Sequence, residues 1–328
     1  MTSFWNDLPQ PFFVLAPMEA VTDVVFRHVV ERAGAPDVFF TEFANATGWV
    51  HAGDRAIAGR LVKTDDEHPL VAQIWGGEPG DMEQFAQHCT RLGFAGIDIN
   101  MGCPAKSAIK SGGAALIRNP DVAVAAIAAA KTAGLPVSVK TRLGYSTVDE
   151  WRAWLTTLLQ QDIVNLTIHL RTKKEMSKVA AHYELINDIV ALRDAIAPQT
   201  LLTINGDIRD RAHGMALVAA HPGVNGLMIG RGVFADPFCF APSADSVAQG
   251  SDSLAQRNFA LLRYHLDLFD HWQPTLGRPY ETPKRFYKIY IRDFNGAKEL
   301  RDQLMHTTST DEARHVIHQW HETMHPSE

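Results

Sequence analysis

Eight short apolar runs recur along the first 230 residues, with helix-like segments between most of them. The runs are Phe12–Leu15, Asp37–Phe40, Leu70–Ile74, Gly96–Ile99, Val137–Val139, Val164–Ile168, Leu201–Ile204 and Gly226–Ile229. They are rich in Val, Ile and Phe, as strands covered on both faces must be. Helical patterns cover Asp81–Leu92, Pro120–Lys131, Asp149–Gln160 and Arg209–Ala220. Pro120 after Asn119 and Gly134 beyond the far end punctuate one of these helices at both termini. This alternation predicts an α/β chain built as a (β/α)8 TIM barrel. A doubly wound sheet competes, but it usually opens with a glycine-rich turn after its first strand. Here the first run leads into Ala16-Pro17-Met18-Glu19, and no G-x-G-x-x-G occurs.

The texture changes near residue 240. Ala241–Ser253 is small, polar and unpatterned, and reads as a linker. Beyond it, Leu254–Trp272, Pro283–Phe294 and Asp311–Met324 read as helices, with Pro274, Gly277 and Pro279 breaking the first two. The expected division is a barrel over 1–242 and a small all-helical domain over 250–328. The longest apolar run, Val122 to Ala130, falls far short of the ~20 residues of a membrane helix. The N-terminus lacks a signal-peptide pattern. Cys89, Cys103 and Cys239 form no C-x-x-C pair, so no disulfide scaffold and no metal is expected, and a reducing cytoplasm fits. The net charge of −6 requires any surface for nucleic acid to be local. A monomer is the default.

In a (β/α)8 barrel the chemistry sits at the C-terminal strand ends. Seven of the eight ends carry polar groups here: Glu19, Gln73, Asn100 with Cys103, Lys140 with Arg142, His169 with Arg171, Asn205-Gly206-Asp207, and Gly230-Arg231. The last two loops occupy the usual phosphate position, where glycine backbone and a fixed guanidinium favour an anion. Taken singly, each is better explained as a structural turn; together, at those two strands, they favour phosphate. Lys140 could be a Schiff-base nucleophile or could neutralise an anionic ring or a phosphate. With Gln73, His169 and Asn205 it offers cationic and amide donors suited to a flavin. Cys103, between Gly102 and Pro104, has no apolar neighbours to bury it. With a thiol pKa of ~8.5 it can act as a nucleophile or donate a proton.

The fragments LAPMEAVTD (15–23), DINMGCPAKSAIKSGGAALI (98–117), SVKTRLG (138–144), HLRTK (169–173), INGDI (204–208) and MIGRG (228–232) resemble the tRNA-dihydrouridine synthase family. The resemblance implies an FMN-binding barrel followed by a helical domain. It implies that Pro17, Met18 and Glu19 lie along the flavin, and that Gln73, Lys140 and His169 hold its ring, ribityl chain or phosphate. Asn205, Gly206, Asp207, Gly230 and Arg231 match the phosphate-side loops. Cys103 matches the general acid, and Asn100 and Arg142 match positions near the target base. The implied reaction is reduction of the C5=C6 bond of a tRNA uridine, with NADPH or NADH as the source of electrons. The uridine must leave its stack to reach the barrel mouth. Two departures stand out: Leu170 follows His169 where the family has a small residue, and Trp75-Gly76-Gly77 after Gln73 is unusual.

The stretch Arg278–Arg301 holds seven cations against Glu281, Asp293 and Glu299. Lys284, Arg285, Lys288 and Arg292 share helical spacing there, interleaved with aromatics. With the basic loop that begins at Arg171, they form the expected tRNA-backbone contacts. Three alternatives are weighed against this reading. A flavin dehydrogenase of dihydropyrimidine or dihydroorotate type leaves the basic helical domain without a purpose. An RNA-binding module with a vestigial flavin site leaves the Cys103, Lys140 and His169 set without one. An aldolase using Lys140 leaves Cys103 and Gln73 unexplained.

Overall fold

A computed structural model describes residues 3–242 and 254–324. Its sheet is parallel throughout. The strands are β1 (Phe12–Leu15), β2 (Phe39–Phe40), β3 (Ala44–Asn45), β4 (Leu70–Trp75), β5 (Gly96–Asn100), β6 (Val137–Arg142), β7 (Asn165–His169), β8 (Leu201–Asn205) and β9 (Gly226–Ile229). They run in the order β1-β9-β8-β7-β6-β5-β4-β2, and a bridge between Val14 and Val38 joins the two ends. This is the predicted eight-stranded barrel, with β2 and β3 together forming its second strand. Both pair with β4, and residues 41–43 oppose only residues 72–73. The one extra residue is a bulge. Within it, the Thr41 hydroxyl takes the Gln73 amide proton at 3.0 Å.

The helices are α1 (Val24–Gly34), α2 (Ala46–Ala52), α3 (Asp54–Ile57), α4 (Pro79–Arg91), α5 (Pro120–Lys131), α6 (Trp151–Leu159), α7 (Ile186–Ile196), α8 (Arg211–Ala220) and α9 (Gly232–Ala235). Helix α5 has the span its Pro120 and Gly134 signals predict. Helices α1 and α7 are absent from the sequence reading, although Gly34 with Pro36 and Pro198 mark their C-terminal ends. The N-terminal end of the barrel is filled by Trp5, Phe12, Val14, Val38, Phe40, Val71 and Met228. Gly226 makes room there: a Cβ would lie 2.2 Å from the Phe12 ring. The short 3-10 helix Phe4–Asp7 carries Trp5 onto Phe12, with ring centroids 5.7 Å apart.

The chain packs as two compact units. One holds the described residues up to Val24 together with Pro36–Gly230; the other holds Val25–Ala35 together with those from Arg231 onward. The expected linker lies, from residue 243 on, outside the described residues. In the second unit, Leu254–Leu276 runs through Pro274 rather than stopping there, and ends at Gly277 with φ 61°. Pro274 sits in the last turn, where its missing N–H removes a single bond. Pro283–Phe294 is not the single helix expected. It comprises two single-turn helices, Glu281–Lys284 and Tyr287–Tyr290. Burial overrides helical periodicity here. Phe286 stacks on Phe26 at 4.9 Å, and the Tyr290 hydroxyl hydrogen-bonds His265 Nδ1 at 2.7 Å. Helices Ala297–His306 and Thr310–Met324 follow, the first absent from the sequence reading.

Candidate active site

Cys103 lies on the loop that leaves β5, and its backbone is held from below. Asn100, the last residue of β5, accepts from the Gly102 and Cys103 amides at 3.1 and 2.9 Å. Asn100 Nδ2 donates to Gln73 Oε1 at 2.9 Å, and Gln73 Nε2 donates to Asp98 Oδ2 at 2.7 Å. Ser138 donates to the other Asp98 oxygen at 2.6 Å. Gln73, Asp98 and Ser138 are register neighbours on β4, β5 and β6, so their inward-facing side chains meet in one layer. Burial pushes the Asp98 carboxyl up to about 6, against the pull of Ser138, Gln73 and Lys140.

Lys140 is the direct register partner of Asn100 across β5 and β6. Desolvation, helped by the Arg142 charge, draws its ammonium down to about 8, while Asp98 and Cys103 pull the other way. It makes no hydrogen bond or ion pair with another described residue. Burial also pushes the Cys103 thiol up; Lys140 and Arg142 oppose that shift and Glu19 adds to it. The thiol therefore carries its proton at neutral pH.

Arg142 is buried and ties two loops together. Its Nε donates to Gly102 O at 2.8 Å, and its Nη1 donates to Thr172 O and Met176 O at 3.2 and 2.9 Å. Nη2 is the part of the fork these carbonyls leave over.

At the end of β7, the Arg171 guanidinium lies 3.1 Å from His169 Nε2. Arginine only donates, so in this contact the ring nitrogen is the acceptor. Arg171 also donates to Val179 O at 2.7 Å and pairs with Asp207. Its expected place on the RNA-facing surface does not hold, because it is 2% exposed. The exposed cations of this loop are Lys174 and Lys178. Leu170 is fully buried and packs into the core. Asp207 sits at φ 54° after Gly206 at φ 123°, a pair of left-handed residues that turns the chain sharply out of β8. Asn205 donates to Met228 O at 2.8 Å, fixing β8 to β9. Gly230 is open on one side, since a Cβ would meet only Ala16, at 3.4 Å. Arg231, next in the chain, belongs to the second unit.

The turn after β1 is held by Thr22, whose hydroxyl accepts from the Met18 amide at 3.0 Å; Pro17 precedes it. Glu19 pairs with Arg60. Together with Phe43, Trp75, Cys103 and Ser107 they line a cavity of about 380 Å³. The unusual Trp75 is thus a wall of the space beside the thiol. In the second unit, Lys284, Arg285 and Lys288 line a groove of about 670 Å³, completed by Lys298 and Arg301 from the next helix. Arg292 does not join them, because its guanidinium is taken up by Asp293 and Ala235 O.

The comparisons decide which family has this arrangement. The family model described as dihydrouridine synthase (Dus) matches residues 14–324. A Bacillus subtilis (strain 168) protein named probable tRNA-dihydrouridine synthase 2 is 55% identical over 317 residues, covering 96% of this chain and 95% of its own. A Staphylococcus aureus (strain Mu50) protein named probable tRNA-dihydrouridine synthase is 51% identical over 324 residues, covering 98% and 97%. The chain belongs to the dihydrouridine synthase family.

As a dihydrouridine synthase family member it carries site residues the sequence reading passed over. Asp98 had a signal: it lies two positions before Asn100 on one strand and so faces the same way. Ser138 had the same relation to Lys140. Phe43 and Arg60 had none, since they reach the cavity from irregular loops. Among the described residues, no group of three His, Cys, Asp or Glu side chains could hold a metal ion. No single helix there is long and apolar enough to cross a membrane.

Proposed function

We propose that this chain reduces a uridine of tRNA to dihydrouridine, with FMN as cofactor, NADPH or NADH as reductant and Cys103 as general acid. The observation that carries the reading is the Cys103 thiol. Burial raises its pKa, its backbone amide is held by Asn100, and it opens on a cavity, with Lys140, whose ammonium has no hydrogen bond or ion pair among the described residues, close enough to act on it.

The residues fit a flat anionic cofactor. Lys140 is a partly buried, desolvated ammonium with no ion pair among the described residues, which disfavours it unless a negative group arrives. Gly206 and Gly230 bring bare backbone to the strand ends where phosphate binds in such barrels. Lys140, Gln73 and His169 would hold the ring and ribityl chain, with Pro17, Met18 and Glu19 alongside. Asn205, Gly206, Asp207, Gly230 and Arg231 would hold the phosphate; the Asp207 carboxylate is taken by Arg171 and the Ala181 amide, so this residue offers its backbone. When bound, FMN supplies hydride for C6 of the uracil ring.

Cys103 gives the proton to C5, and its raised pKa keeps that proton available. Asn100 fixes the loop, and Arg142 Nη2 and the remaining Asn100 surface address the base. The 250–328 region is assigned to tRNA, with Lys284, Arg285, Lys288, Lys298 and Arg301 facing the phosphate backbone. The protein works as a cytoplasmic monomer in this reading.

The test is Cys103→Ala assayed on tRNA lacking dihydrouridine. Flavin content and NADPH oxidation by oxygen should persist, while product formation falls by about 10²–10⁴-fold, the usual contribution of a general acid. Undiminished product from this variant removes the acid role.

A further inference from the structure

We infer that Asp98 is a positioning residue for the loop carrying Cys103, acting as the accepting end of a hydrogen-bond chain through Gln73 and Asn100. The inference rests on Cys103 as the proton donor.

The polarity of the chain is set from both ends. The Gly102 and Cys103 amides can only donate, so Asn100 must turn its oxygen to them. That places Asn100 Nδ2 against Gln73 Oε1, and in turn Gln73 Nε2 against position 98. Only an acceptor there lets both amides keep these orientations. Asp98 supplies it, and Ser138 holds the second carboxylate oxygen so that the first stays aimed at Gln73. Asp98, Ser138, Gln73 and Asn100 are all buried, so no water can substitute at a broken link among them. A wholly buried carboxylate is an unfavourable filling for a barrel interior, and packing alone would place an aliphatic side chain here.

The rival role for Asp98 is as counter-charge to Lys140. The two separate on neutralisation. Asp98→Asn removes the charge but keeps an oxygen for Gln73 Nε2, and its amide can donate to Ser138 Oγ. Asp98→Leu keeps the bulk and removes both. The readout is the rate at which iodoacetamide alkylates Cys103, followed by mass spectrometry of its peptide in the flavin-loaded protein at fixed pH. Product kcat and the KM for tRNA are measured beside it.

Positioning predicts that Asp98→Asn alkylates within about twofold of the parent, because the links persist. Asp98→Leu should alkylate about tenfold faster as the loop loosens, with kcat about tenfold lower and KM unchanged. Equal effects of the two variants would overturn the inference in favour of the charge role, and no effect of either would overturn it outright. If Asp98→Leu does not fold, Ser138→Ala removes one hold on the carboxylate at little cost to packing. It should speed alkylation about threefold, and an unchanged rate overturns the inference. If Cys103→Ala were to retain full product formation, the acid reading would fall, while the alkylation contrast would still report on the loop.

Discussion

Replacing Arg171 by Met separates two roles that a sequence cannot distinguish. A cation in a basic loop beside an RNA-binding site invites the reading of a phosphate contact. The structure instead buries its guanidinium on Val179 O, His169 Nε2 and Asp207. Met matches the side-chain length and removes all three. The bond from a charged donor to the Val179 carbonyl contributes about 1.5–3 kcal/mol. The Asp207 pair adds about 1 kcal/mol at most, because that carboxylate is 34% exposed and solvent screens it. A loss of about 3 kcal/mol in a unit of this size lowers Tm by about 6–12 °C. Thermal unfolding followed by circular dichroism measures it. In parallel, anisotropy of labelled tRNA across a salt series gives the slope of log K against log salt. That slope should not change for Arg171→Met. For the exposed Lys174→Gln it should shrink by about 0.7–0.9, with stability altered by less than about 0.5 kcal/mol. An Arg171→Met protein with the parent's Tm and a reduced salt slope would refute the burial argument.

Two further outcomes follow from the packing and the charges. Gly226→Ala should lower the urea midpoint by the equivalent of about 1–3 kcal/mol, since its Cβ would fall 2.2 Å from Phe12 and 2.6 Å from Thr203 Oγ1. Gly80→Ala, with nothing within 4 Å, should leave that midpoint unchanged or raise it. His182 bridges Glu175 and Glu184 at 3.0 and 2.7 Å, and despite some desolvation their charges raise its pKa. Its contribution is therefore full below the usual histidine pKa and lost as pH rises through the raised value. Both carboxylates are lowered, and their share is lost as pH falls through their own values. Hydrogen-exchange protection factors of residues 172–182, corrected for the intrinsic pH dependence of exchange, should be largest between those limits, and His182→Gln should flatten the alkaline side.

Strand positions were legible because an interior strand must be apolar on both faces, a pattern few other elements share. The strand ends were legible because polar residues there have no packing reason to recur. What periodicity missed is instructive. Lys284, Arg285, Lys288 and Arg292 are spaced for one helical face, yet burial of Phe286, Tyr287 and Tyr290 breaks the helix and sends Arg292 elsewhere. Arg171 looks like any surface cation until Asp207, brought round by the turn after Gly206, meets it. Arg60 joins Glu19 across 41 residues of chain, and no local signal marks such a pair. Long-range partners of this kind exist only once the barrel has closed.

Helix α1 is encoded between two barrel strands but packs in the second unit, where Phe26 stacks on Phe286 and Arg32 lies over Tyr264. During synthesis, the partner ring emerges 260 residues after Phe26. Phe234 and His265, which also pack on Phe26, are made earlier, so at about 5–20 residues per second the stack waits on the order of 13–50 s for its last ring. The order of translation thus imposes an interval in which the stack on Phe26 is incomplete, and a ribosome that stalls before residue 286 prolongs it.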